Sequence, residues 1–156
     1  MAIKVNSENL NRKRKIDLSK IEKAAKAALK LLRKKNAEVN IIFLSSQKIR
    51  VFNRAYLNKD AATDVIAFPG EGYYGPELIG KAHSKYFLGD IAISSDKAFC
   101  NAKIYGLTFT EEIVLYVIHG ILHITGYEDI TKKGREKMRR KEDELFKRIK
   151  EKKLTC

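Results

Sequence analysis

The sequence has no tryptophan, only two prolines and only two cysteines in 156 residues. Cys100 and Cys156 form no CxxC pair, and Cys156 is the last residue, so a disulfide framework is not expected. A reducing compartment, the cytoplasm, fits best. Long apolar runs are also missing. The longest, Ile113 to Ile118, has six residues, whereas a helical membrane span needs about 20. No membrane partner is expected. The opening stretch MAIKVNSENLNRKRK has no apolar segment of the kind a secretory signal requires. The apolar share, 44%, is ordinary for a globular protein. The length suits one domain spanning residues 1–156, at a prior of roughly 150 residues per domain. Such a chain can bury a core without metal or disulfide staples.

Acidic residues are the scarcer charge. There are 19 against 32 basic ones, a formal net of +13. The excess lies at the two ends. Residues 1–35 hold 12 Lys/Arg and 3 acids, a net of +9. Residues 132–156 hold 12 and 5, a net of +7, and the middle has a net of −3. By charge alone such ends attract a polyanion, with RNA, DNA and anionic membrane as candidates. A Lys-rich solubilising surface is the plainer alternative.

Four strand-like stretches stand out: the one containing Ile3 and Val5, Val39 to Leu44, Thr63 to Pro69, and Leu88 to Ser94. Helical spacing of Leu18, Ile21, Ala25, Ala28 and Leu32 predicts a first helix, capped either by a Ser19–Glu22 box or by Asp17. Ser45 or Ser46 caps a second, with Ile49, Phe52, Asn53 and Tyr56 on one face. A third covers about 96–105 before Gly106. Thr108 and Glu111 form a capping box opening a fourth, which runs to about Thr125. Thr131 starts a long charged fifth. Residues 70–87, with four Gly and one Pro, read as a loop. The expected fold is α+β, a single domain with a small mixed sheet of about four strands packed with about five helices.

The fourth helix carries the chemistry. Apolar residues cover nearly its whole circumference, as in a buried helix. His119 and His123, at i and i+4, share one face about 6 Å apart along the axis. Two imidazoles so placed can clasp one cation; two core histidines satisfied by the backbone are the alternative. Gly126 suits the left-handed residue that ends a helix, and the turn brings 127–130 back toward the histidines. Asp129 and Glu128 lie in that return. A His–His–carboxylate set with an open position is a catalytic zinc arrangement. It is also that of non-haem iron oxygenases, whose ligands come from barrel strands. His83, in the Gly-rich loop, is a rival third ligand. The glutamate that follows the first histidine in zinc peptidases is replaced by Gly120, so that proton shuttle is missing. A glycine there is expected to leave room for a bulky substrate.

The stretch His119-Gly120-Ile121-Leu122-His123-Ile124-Thr125-Gly126-Tyr127-Glu128-Asp129 resembles the signature HGxLHxxGYDH of the YbeY family. Asn53, Tyr56, Thr63-Asp64-Val65 and Phe68-Pro69 are similar to its NxxYR…TDVLSFP segment, and Leu88-Gly89-Asp90-Ile91 to its LGDI strand. The resemblance runs from about residue 38 to the C terminus. It implies a metal-dependent, single-strand-specific endoribonuclease of ribosomal RNA maturation, acting at the small-subunit 3′ end and in ribosome quality control. RNA and the ribosomal small subunit would be its partners. His119, His123 and Asp129 would hold one divalent metal, zinc being the first choice. The chain departs from the family at five places: Asp129 stands for histidine, Glu128 for aspartate, Leu57 for arginine, Ala62 for proline and Ala67 for serine. Leucine cannot neutralise phosphate, so Arg54 or Lys59 is expected to bind substrate instead, and no catalytic residue is assigned. Asp64 and Asp90 fall near the expected site without an assigned role. The alternative that Leu57 favours is a non-catalytic, metal-containing RNA-binding factor.

Overall fold

Apolar alternation and the caps build nine elements in a computed structural model that describes residues 2–59, 63–70 and 84–155. The strands are β1 (Ile3–Asn9), β2 (Ala37–Leu44), β3 (Val65–Pro69) and β4 (Phe87–Ser94). The helices are α1 (Leu18–Leu31), α2 (Ser46–Leu57), α3 (Ser95–Tyr105), α4 (Phe109–Ile124) and α5 (Lys132–Glu151). The expected α+β class and mixed sheet are what the chain adopts. Strand order is β1-β2-β4-β3. β1, β2 and β4 are mutually parallel, with Val5 opposite Val39 and Ile41 opposite Ile91. β3 pairs antiparallel with β4, Ala67 opposite Ile91.

β2 is buried at every residue, as a central strand covered on both faces must be. Val39, Ile41, Phe43, Ile91 and Ile93 join the main core with α1, α4 and α5. Their alternating neighbours Ile42, Leu44 and Ala92 form a second cluster with Ile66, Phe68 and, from α2, Ile49 and Phe52. The sheet therefore has α1, α4 and α5 on one face and α2 on the other.

The caps explain where the helices begin. Asp17, not Ser19, caps α1, accepting from the Lys20 N–H at 3.1 Å. Glu22 is drawn away by the Ser7 hydroxyl of β1, which donates to it. Ser45 caps α2, and Thr108 and Glu111 form the reciprocal box that starts α4. Thr131 caps α5, accepting from Gly134 N–H at 2.9 Å. Each satisfies a backbone donor that the first helical turn leaves unpaired.

Gly120 serves a purpose other than the one expected. It is buried against the sheet, and a Cβ there would stand 2.7 Å from Ile91 Cγ2 and 3.0 Å from its Cδ1. The missing side chain lets α4 approach β4; it opens no space for a substrate. Overpacking here costs about 1–3 kcal/mol, against the ~1 kcal/mol that alanine gains over glycine inside a helix. Gly120→Ala is expected to lower the midpoint of a thermal melt by about 2–4 °C. An unchanged midpoint would show that Ile91 yields freely.

Candidate metal centre

The last two turns of α4 bring the two histidine rings together, centroids 4.6 Å apart and planes at 80°. His123 Nε2 lies 3.1 Å from His119 Nε2. The helix ends in a Schellman turn. Tyr127 N–H donates to Leu122 O at 3.0 Å and Gly126 N–H to His123 O at 3.2 Å. Gly126 takes φ 108°, where a side chain would be strained. Tyr127 packs onto the main core, which holds the chain's reversal in place.

That reversal separates the two acidic candidates. Asp129 Oδ2 comes within 3.5 Å of His123 Nε2. Glu128 turns the other way and closes the start of α5, accepting from Ile130 N–H at 2.8 Å and from the Thr131 hydroxyl at 2.8 Å. The Thr131 hydroxyl and the Ile130 and Thr131 N–H groups hold its carboxyl below the usual range. Ligand atoms of His119, His123 and Asp129 all lie within 4.8 Å of one another. Among the described residues this is the one group of three or more such side chains.

The donor set fits a divalent metal. Two imidazole nitrogens face each other with space for either one shared proton or one cation bonded to both, and a carboxylate oxygen stands beside them. Nitrogen and oxygen donors of this kind suit zinc with an open position, and other borderline metals as well. Lying half-exposed, the three side chains leave a path for a ligand from solvent.

The other nitrogen of His119 shows what the sequence did not. Nδ1 of His119 meets Glu142 Oε1 on α5. This contact directs Nε2 toward His123, as outer carboxylates commonly orient metal-binding histidines. A signal for Glu142 does exist in the sequence. Met138, Leu145 and Ile149 are the buried residues of α5, and Glu142 falls on their stripe, four residues after the first and three before the second. A carboxylate on a buried stripe needs a partner.

Electrostatics follow this arrangement. Burial disfavours the charged form of His119, but Glu142, Asp64 and Asp129 outweigh it and raise its pKa. Burial, with the positive charge of His119, lowers that of His123. Of the two rings, His119 is therefore the one that takes up an added proton more readily, next to Glu142.

The remaining expected residues scatter. Asp64 opens β3, and its charge reaches Glu112, Tyr116 and His119 on α4. Asp90 is fully buried on β4; by strand alternation with Ile91 it points to the α2 side. Arg54 and Leu57 are exposed on α2, across the sheet from α4. A cleft of about 170 Å³ at the site is lined by His119, Asp129, Arg135, Met138, Arg139 and Glu142. Neither Arg54 nor Lys59 is among them. His83 and Ala62 lie outside the described residues, as does most of the loop expected at 70–87.

The chain is similar to known proteins. A family model described as endoribonuclease YbeY matches residues 6–150. The chain is 38% identical over 136 residues to the endoribonuclease YbeY of Aquifex aeolicus, covering 86% of this chain and 84% of that one. To that of Caldanaerobacter subterraneus it is 34% identical over 148 residues, covering 89% and 94%. The solution structure of a Thermotoga maritima protein shares its fold, with a TM-score of 0.59 over 99% of this chain and 95% of that one, at 24% identity. With the family model running through both basic helices and the whole His119–Asp129 stretch, the chain belongs to the endoribonuclease YbeY family.

Proposed function

We propose that this protein is a metal-dependent endoribonuclease of single-stranded RNA. Its substrate is ribosomal RNA at the small-subunit 3′ end, and its setting is ribosome maturation and quality control in the cytoplasm. The observation that carries this reading is the convergence of His119, His123 and Asp129 in a chain of this family. These three side chains would hold one divalent ion, with zinc the first choice for this donor set. When bound there, such an ion would supply Lewis-acid polarisation of a phosphoryl oxygen. The chain's own residues do the rest. Glu142 keeps the His119 ring turned so that Nε2 faces the site. The Schellman turn, through Tyr127 and Gly126, holds Asp129 beside His123.

The test is cleavage of one structured RNA with single-stranded tails, with and without a chelator. Cleavage confined to single-stranded segments and abolished by the chelator is expected. A second reading, a metal-containing RNA-binding factor without turnover, is favoured by Leu57, which stands where the family signature has arginine. Binding without cleavage at any metal concentration would select it.

A larger groove of about 440 Å³ lies on the other flank of α5 from the cleft, between the turn at 125–131 and the start of that helix, and shares no lining residue with it. Tyr127, Lys133 and Lys137 line it, and Lys137 Nζ sits 5.7 Å from the centre of the Tyr127 ring. Charged amines beside an aromatic face suit a single strand, whose phosphates meet the cations and whose bases stack. RNA affinity is expected to fall steeply with salt. Lys133→Gln with Lys137→Gln should flatten the slope of log affinity against log salt by roughly 0.7 for each phosphate that is no longer neutralised. A slope unchanged by both substitutions would make these lysines merely solubilising.

A further inference from the structure

Three residues of α5 form a stripe facing the histidines. Arg135, Arg139 and Glu142 are spaced i, i+4 and i+7, which places them on one side of a helix. All three line the cleft that holds His119 and Asp129. Two of them are committed. Glu142 is bound to His119. Arg135 Nη1 donates to Ile130 O at 2.9 Å and Asp129 O at 3.3 Å, which ties down the loop carrying Asp129. Arg139 is different. It is exposed at the mouth of the cleft, and among the described residues no carboxylate or hydrogen-bond partner engages its guanidinium.

We propose that Arg139 is the phosphate-binding residue of this site, its guanidinium taking the non-bridging oxygens of the phosphodiester that enters the cleft. Charge arithmetic supports the assignment. Two neutral imidazoles with the Asp129 and Glu142 carboxylates carry two negative charges, which one divalent ion balances, while Arg135 in the cleft and Asp64 nearby add one charge of each sign. A phosphodiester brings one further negative charge, and its cleavage places more on the same oxygens. An unpaired planar fork of donors beside the site is what such an anion requires. Leu57 cannot supply it, and Arg54 lies on the helix across the sheet. The proposal rests on reading this site as one that handles RNA phosphodiesters.

The experiment uses full-length, zinc-loaded protein and two readouts. In the first, inorganic phosphate is titrated calorimetrically into wild type, Arg139→Ala, Arg139→Lys and Lys48→Ala, with zinc content measured on each. Arg139→Ala is expected to weaken phosphate binding by about tenfold or more, and Arg139→Lys to restore part of it. Lys48→Ala, a charge removed from α2, should change nothing, and zinc content should stay constant throughout. Equal affinity in wild type and Arg139→Ala, or no measurable binding by wild type, overturns the proposal. In the second, cleavage of a single-stranded RNA is followed. Arg139→Ala should lower kcat by about 10²-fold with a smaller change in KM, and added guanidinium ion should recover part of the loss. Wild-type cleavage that Arg139→Ala leaves intact overturns the proposal while the nuclease reading stands. Absence of wild-type cleavage, with phosphate binding still dependent on Arg139, defeats the nuclease reading and upholds the phosphate site.

Discussion

Replacing His123 by alanine is expected to strip the protein of its metal and to reduce RNA cleavage by about 10³-fold or more. The size follows from what is removed. Lewis-acid stabilisation is worth several kcal/mol, and each 1.36 kcal/mol is tenfold in rate. His123 faces both other ligand atoms, 3.1 Å from His119 Nε2 and 3.5 Å from Asp129 Oδ2, so its loss leaves two donors that no longer share a neighbour. His119→Ala should act alike. The core of α4 is apolar and intact in both variants, so their circular dichroism should match wild type. Metal analysis checks the prediction directly, and unchanged occupancy in both variants would defeat the assignment. Asp129→His offers the converse. Asp129 is about half exposed, its side chain at 48%, so an imidazole fits there without repacking. This variant should hold zinc at least as tightly as wild type in a competition titration.

The second large effect concerns a residue that touches no metal. Glu142→Ala is expected to weaken metal binding by about 10- to 100-fold, the usual cost of losing the carboxylate behind a ligating histidine. Without its partner at Nδ1 the His119 ring can rotate or hold its proton on Nε2, the atom needed for coordination. Glu142→Gln retains an oxygen acceptor but not the charge, so it should fall between the two. Alanine suits the interior of α5 by propensity, and the helix keeps its buried Met138, Leu145 and Ile149. A change in metal affinity with an unchanged melt would therefore report orientation. Equal affinity in wild type and Glu142→Ala would reduce the contact to an ordinary partly exposed ion pair, worth about 0–1 kcal/mol.

Much of this site is readable without coordinates. His119 and His123 are four residues apart, and a helix necessarily places such residues on one face. Gly126 marks the end of that helix by its freedom at positive φ. The capping signatures at Ser45, Thr108 and Thr131 each mark a helix start, because the side chain and the N–H it accepts from lie within three residues of each other. Where two local signals competed, local chemistry alone was silent. Asp17 and Ser19 are both good caps, and the choice fell to Asp17 once β1 placed Ser7 against Glu22. Likewise Glu128 and Asp129 are equivalent as acids in a turn; the family signature points to Asp129, and the contacts of Glu128 with the start of α5 give the physical reason.

By itself the sequence determined the elements, the mixed α+β class, the paired histidines and the turn that follows them. All of these depend on residues a few positions apart, whose relation the backbone geometry dictates. The tertiary structure decided what depends on packing between distant segments. It set α4 against β4 closely enough that any side chain at residue 120 would press on Ile91. It also set α2 on the far side of the sheet, away from the cleft. Above all, it laid α5 along α4, so that Glu142 meets His119 across 23 residues of chain and Arg135 and Arg139 line the same cleft. Which of α5's many charged residues face the site follows from how its short apolar stripe docks onto the core. That docking is a property of the whole core, not of any stretch of sequence.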